Sequence, residues 1–244
     1  MTGPYFLDAD PLSPFPPLSE ALDEHEGLLA VTADLHPARI FNAYRNGIFP
    51  WYNEGEPIAW YSPPVRMILP TSENPLGRRF RKSLVDRNWH LTADRDFNEV
   101  MRHCAEVVRP GQNGTWINAD MRDAYKILHA EGIAHSVEVR RSEDGSLVGG
   151  LYGLFVRGMF CGDSMFSLES GASKVAFAGL CQFLRENGVE WIDGQLPNPY
   201  LRSLGGVECS RDEFIRYLHG SGESELGHVP WVDFFGEVPV ADFR

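Results

Sequence analysis

The chain has few cysteines and no pairing pattern among them. Cys104, Cys161, Cys181 and Cys209 are the only four, and no two stand in a CxxC spacing. That excludes a zinc ribbon and gives no sign of a disulfide framework. Reduced thiols in a cytoplasmic protein, with no metal and no cofactor, are expected. No apolar run approaches the roughly 18 residues of a membrane-spanning helix, so no membrane partner is expected. The acidic, Pro-rich start of the chain lacks a basic n-region and an apolar h-region, which argues against a secretion signal. A P-loop, a G-x-G-x-x-G turn and a G-x-S-x-G elbow are all absent. Ser164 therefore has no nucleophile context, and no His stands in a metal-ligand spacing. His135, alone at the start of a strand, is expected to be hydrogen-bonded rather than catalytic.

What is present is an ordinary globular composition, with 43% hydrophobic and 12% aromatic residues among 244. The net charge of −12 is unevenly spread. Residues 1–38 hold seven acids and no Lys or Arg, and residues 220–244 hold five acids and one Arg. The middle of the chain is left near neutrality. Within it Arg78, Arg79, Arg81 and Lys82 make a local basic run. The field near a site matters more than the total, so the acidic balance does not exclude a nucleic-acid partner.

The pattern predicts α+β. Five prolines in the first 17 residues argue for surface-lying chain without long helices. Strands are expected over 28–31, 58–62, 65–69 and 91–92, and helices over 37–46, 75–86 and 97–106, the last capped by Asp96. A loop follows, and a boundary is expected among Pro110, Gly111 and Gly114. A helix then runs from Asn118 or Asp120 to about His129. From Ala134 the pattern becomes a meander with strands over 136–140, 147–156 and 159–165, joined by tight turns. A helix over 172–186, a strand through Asp193 and a helix from about Ser210 complete the order. Gly149 and Gly150 read as a bulge or a close backbone approach. Asp193 and Gln195 lie two apart on an apolar strand, so they are expected on one face. Buried there, they need partners.

Several segments are dense in unusual residues. They are GIFPWY (47–52), GTW (114–116), HSVEV (135–139), GGLYG (149–153), CGDSMFS (161–167), GASK (171–174) and IDGQ with Asn198 (192–198). In order and spacing, from about Gly27 to about Leu218, they resemble the leucyl/phenylalanyl-tRNA–protein transferases, bacterial enzymes of the N-end rule. The resemblance implies a small N-terminal α/β domain (27–110) and a C-terminal catalytic domain (111–220) like the GNAT acyltransferases. The acidic extension (1–26) and the tail (221–244) lie outside it. It also implies the reaction, in which Leu, Phe or Met passes from aminoacyl-tRNA to the N-terminal Arg or Lys of a protein. The proteins so marked would enter N-end rule degradation.

Residue roles follow from the same resemblance. Asp193 and Gln195 match a catalytic pair, in which Asp193 orients Gln195 and the amide oxygen of Gln195 meets the acceptor amine. Asn198 matches an active-site asparagine. Asp163 stands where the family often has Glu. Trp51 and Trp116 match residues that stack on the terminal adenosine, with Tyr44 and Tyr125 nearby. Arg78, Arg79, Arg81 and Lys82 match a basic patch for the acceptor stem. Leu154, Phe160 and Phe166 are expected to line an amino-acid pocket. The chemistry is self-sufficient: an ester donor gives an amide, and an α-amine with pKa about 7.7–8 is partly neutral near pH 7. Two other readings remain at this stage: the same chemistry on another acceptor, such as an acidic N-terminus, or a GNAT-like tRNA-binding module without catalysis.

Overall fold

The computed structural model describes residues 3–72, 75–84, 86–107, 115–222 and 224–240. Pro110, Gly111 and Gly114, where the boundary was expected, lie outside the described residues. In chain order the elements are β1 (Tyr5–Phe6), β2 (Leu28–Thr32), α1 (Pro37–Arg45), β3 (Phe49–Pro50), β4 (Ile58–Tyr61), β5 (Val65–Pro70), α2 (Arg78–Ser83), β6 (Trp89–Ala93) and α3 (Phe97–Glu106). There follow α4 (Ala119–Ala130), β7 (Ala134–Arg141), β8 (Leu147–Val156), β9 (Met159–Ser167), α5 (Ala172–Glu186) and β10 (Trp191–Gln195). The chain closes with α6 (Pro199–Ser203), β11 (Val207–Ser210), α7 (Arg211–Gly220), α8 (Val232–Phe235) and β12 (Val238–Pro239).

Two sheets carry the mixed α/β fold. A four-stranded sheet runs β1-β2-β4-β3, and an eight-stranded sheet runs β11-β5-β10-β9-β8-β7-β6-β12. Pro63 and Pro64 cannot donate ladder hydrogen bonds, and the chain leaves the small sheet there to enter the large one. β5 and β6, both before residue 110, are therefore partners of the later strands: β5 is paired with β10 and β11, and β6 with β7. β7, β8 and β9 form the expected antiparallel meander. β10 then lies parallel to β9 after the α5 crossover.

Side chains alternate across the large sheet, so it feeds two cores. One face carries Tyr152, Leu154 and Cys161 against α1, α3 and α4. The other carries Leu151, Val137 and Phe160 against α5. α5 comes very close, because a Cβ on Gly149 would meet that of Ala172 at 2.5 Å. This is the close approach foreseen for the Gly149–Gly150 pair. Asn118 caps α4 by accepting from Met121 N–H, and Ser210 caps α7 in a capping box with Glu213.

Asp96 does not cap α3 with its side chain. Its carboxylate accepts from Arg140 on neighbouring β7 at 2.5 Å, a charged donor that outcompetes backbone amides. The backbone N–H of Asp96 is instead bonded by Glu138. His135 is buried between Asp94 and the Gly132 carbonyl, and stacks on Trp231 at 4.0 Å. Among the described residues no helix is long and apolar enough to cross a membrane.

Candidate active site

A cavity of about 670 Å³ opens where the two sheets meet. Its floor is apolar, built from Leu69, Leu151, Phe160, Phe177, Leu180 and Ile192. Its mouth is aromatic, with Trp51, Tyr52, Tyr61 and Trp116. Between them lie Asp163, Asp193, Gln195 and Asn198. The charged residues of the lining are Glu56, Asp163 and Asp193, all acidic.

Two bulges aim the polar groups. In β9, Tyr152 pairs with Ser164 and Gly153 with Gly162, so Asp163 is the extra residue. In β10, Asp193 pairs with Ile68 and Gln195 with Met67, so Gly194 is the extra one. Bulges re-aim side chains beside functional sites. Here they bring residues from adjacent strands together: Gln195 Nε2 donates to Asp163 Oδ1 at 2.7 Å. Gln195 adopts a left-handed backbone, φ 61°, that a regular strand would not allow. Gly153 must be glycine, because a Cβ there would sit 2.0 Å from the carbonyl oxygen of Cys161.

The bulge in β10 corrects the expectation that Asp193 and Gln195 share a strand face. Asp193 is fully buried and turned to Arg66 on β5, which donates from Nε at 2.8 Å and from a terminal nitrogen at 2.6 Å. Its Oδ1 also accepts the backbone N–H of Gln195 at 2.8 Å. Asp193 therefore positions Gln195 through the main chain, while the Gln195 side chain goes to Asp163. Arg66 is itself clamped between the rings of Phe49 and Phe214, 4.8 and 4.3 Å from its guanidinium carbon. Arg66 is missing from the sequence reading. The signal was there: one Arg in the apolar strand VRMIL, where an unpaired charge would be very costly.

Asp163 is held by three neutral donors. Tyr44 O–H reaches Oδ1 at 2.6 Å, Tyr125 O–H reaches Oδ2 at 2.9 Å, and Gln195 is the third. Burial raises its pKa to about 7, against the pull of those donors and with a further push from Asp193. Burial and the Asp163 charge likewise hold Tyr44 and Tyr125 well above the usual tyrosine range. Both tyrosines are core residues behind the carboxylate.

The remaining candidates divide. Trp51, 39% exposed, and Trp116, half-buried, both reach the cavity. Asn198 lines it, but its side-chain oxygen caps α6 by accepting from Leu201 N–H at 2.9 Å. Phe160 lines the floor. Leu154 and Phe166 do not line the cavity: both belong to the opposite core, where Phe166 stacks on His103 at 4.7 Å. The Asp163 bulge inverts strand parity, so Phe160 and Phe166 fall on opposite faces despite their even spacing. The floor residues Phe177 and Leu180 come from α5, where they read in sequence as ordinary helix core. Arg78, Arg79 and Lys82 are exposed on α2 and Arg81 is half-buried, and none of the four lines the cavity.

The family model described as leucyl/phenylalanyl-tRNA protein transferase matches residues 68–219, and that of its N-terminal domain matches residues 33–64. A leucyl/phenylalanyl-tRNA–protein transferase of Xanthomonas axonopodis pv. citri is 48% identical over 239 residues, covering 98% of this chain and 95% of the relative. One of Xylella fastidiosa strain M23 is 48% identical over 235 residues, 96% of each. The crystal structure of FemX overlaps at a TM-score of 0.45 with 14% identity, over 77% of this chain and 71% of that one. With more than half the sequence inside one family model and relatives nearly half identical from end to end, this chain belongs to the leucyl/phenylalanyl-tRNA–protein transferase family.

Proposed function

We propose that this protein moves Leu, Phe or Met from aminoacyl-tRNA to the N-terminal Arg or Lys of a protein, marking it for degradation. One observation carries the reading: an apolar floor, a bulge-aimed polar pair and an aromatic mouth open into one cavity. The floor accepts a γ-branched, unbranched or aromatic apolar side chain, whose burial is worth about 1.5–3 kcal/mol. The aromatic mouth accepts the terminal adenosine on Trp51 and Trp116, at roughly 1–3 kcal/mol per stacked base. The ester then lies beside Asp163 and Gln195. Holding amine and ester together supplies several kcal/mol of the barrier, on the order of 7–11 in ideal intramolecular cases.

The lining favours a cationic acceptor over an acidic one. Its charges are carboxylates, and the buried guanidinium of Arg66 behind it is engaged by Asp193 and by the Gly47 carbonyl. Asn198 and Phe160 bind substrate in this reading, with Tyr44 and Tyr125 setting the carboxylate. Arg78, Arg79, Arg81 and Lys82 bind the acceptor stem as phosphate contacts. The antiparallel β7–β9 meander, the α5 crossover and parallel β10 support a GNAT-like reading of the catalytic unit. We place the limit between the two units at residues 62–64, between the two sheets, and the enzyme in the cytoplasm.

Incubation with labelled Leu-tRNA and peptides beginning Arg, Lys, Asp or Ala tests the proposal. Label is expected on the Arg and Lys peptides. Label on none of them would sink the transferase reading, and label on the Asp peptide alone would select an acidic acceptor.

A further inference from the structure

We propose that Asp163 is the proton shuttle of the transfer, taking the proton from the acceptor amine and delivering it to the ribose oxygen. The inference rests on the transferase reading above and goes one step further, to where the proton goes. When the neutral amine attacks the ester carbonyl, a C–N bond forms and the nitrogen becomes cationic. It must lose a proton before the tetrahedral intermediate can collapse to an amide. When the C–O bond breaks, the departing ribose oxygen needs a proton. One group that accepts the first and donates the second ends the cycle as it began, and the reaction needs no other acid or base.

The other groups at the site are poorly suited. The Gln195 amide oxygen can accept a hydrogen bond from the amine, but a neutral amide does not hold a proton near pH 7. Asp193 is buried and bound at both oxygens by Arg66, so a proton there would break a bidentate ion pair. Glu56 lies at the exposed mouth, bonded to Asn53. Asp163 lines the cavity, in contact with the same Gln195 that would meet the amine. A carboxylate offers roughly four acceptor positions, and three are filled, which leaves one. None of the three donors is charged, so the carboxylate has no cation to neutralise it directly. The groups facing it are Tyr44 from α1, Tyr125 from α4, Cys161 on its own strand, and Asp193 from β10 with Arg66 behind it. A carboxyl group with pKa about 7 is matched to an amine of about 7.7–8, the condition under which proton transfer is efficient at neutral pH.

The test is turnover of labelled Leu-tRNA with an Arg-started peptide by the wild type, Asp163→Asn, Tyr44→Phe and Tyr125→Phe, across pH 5.5–9. Melting curves on the same samples establish that each variant is folded. Asp163→Asn should lower kcat by about 10²–10⁴-fold. The kcat/KM profile of the wild type should fall below a limb near pH 7. Removing either tyrosine hydroxyl takes a donor from the charged form and should move that limb to higher pH, while the limb of the free amine stays. If Asp163→Asn keeps kcat and only raises KM, Asp163 is a seat for an ammonium group and the proposal fails. A limb unmoved by both tyrosine variants also overturns it. A wild type that transfers nothing would remove the transferase reading together with this one.

Discussion

Asp193 and Gln195 are two residues apart, yet their side chains take up different tasks. Asp193 is an anchor: it holds Arg66 by two hydrogen bonds and the Gln195 backbone by a third. Removing one partner of such a buried pair strands the other charge, at about 3–5 kcal/mol, whereas an apolar pair of similar volume is often neutral. Asp193→Leu and Arg66→Met should each lower the melting temperature strongly. The double variant should regain most of that loss and still transfer poorly, because the main-chain anchor of Gln195 is gone and only its side-chain bond to Asp163 remains. A double variant as active as the wild type would show that the anchor has no part in transfer. Stability also carries the mark of Asp163. Its folded pKa of about 7 lies above the ordinary 3.8, so the folded state binds the extra proton. The cost of ionising it is absent at low pH, grows between those two values, and is complete above pH 7.

At the scale of elements, most of the large sheet was legible in the sequence and the bulges were not. The strand over 147–156 and the helix over 172–186 match the structure residue for residue, because long periodic segments with glycine at their ends specify themselves. A bulge leaves no such trace. The extra residues are Asp163 and Gly194, and only the partner strand reveals that they are extra. Hence Phe160 lines the cavity and Phe166, six residues on, does not, while Leu154 faces the other core beside its partner Cys161. The short strand β11 escaped for a related reason, being held by pairing with β5, distant in sequence. α2 presents the opposite case, a six-residue helix plainly basic in sequence and, among the described residues, without an ion pair. Arg78, Arg79 and Lys82 changed together to Ala should weaken tRNA binding and flatten its log–log salt dependence by roughly 2. An unchanged slope would return the run to a plain solvated surface.

Over the whole molecule, the described stretches of the acidic ends belong to the folded body. β1 pairs with β2, Phe15 packs on Trp60 at 5.2 Å, and buried Arg39 holds the carbonyls of Asp8 and Asp10. At the other end, Trp231 is fully buried on His135, and β12 extends the large sheet. These segments brace the two sheets between which the cavity opens. The central claim is that Gln195, aimed by its bulge, works on an aminoacyl ester held in that cavity. Single-turnover transfer of Leu from Leu-tRNA to an Arg-started peptide, measured beside Leu-tRNA binding for the wild type and Gln195→Ala, tests it most directly. The account predicts a rate lower by about 10²-fold, the cost of losing a positioning contact to the amine, with Leu-tRNA binding unchanged. A folded Gln195→Ala protein that transfers at the wild-type rate would contradict it.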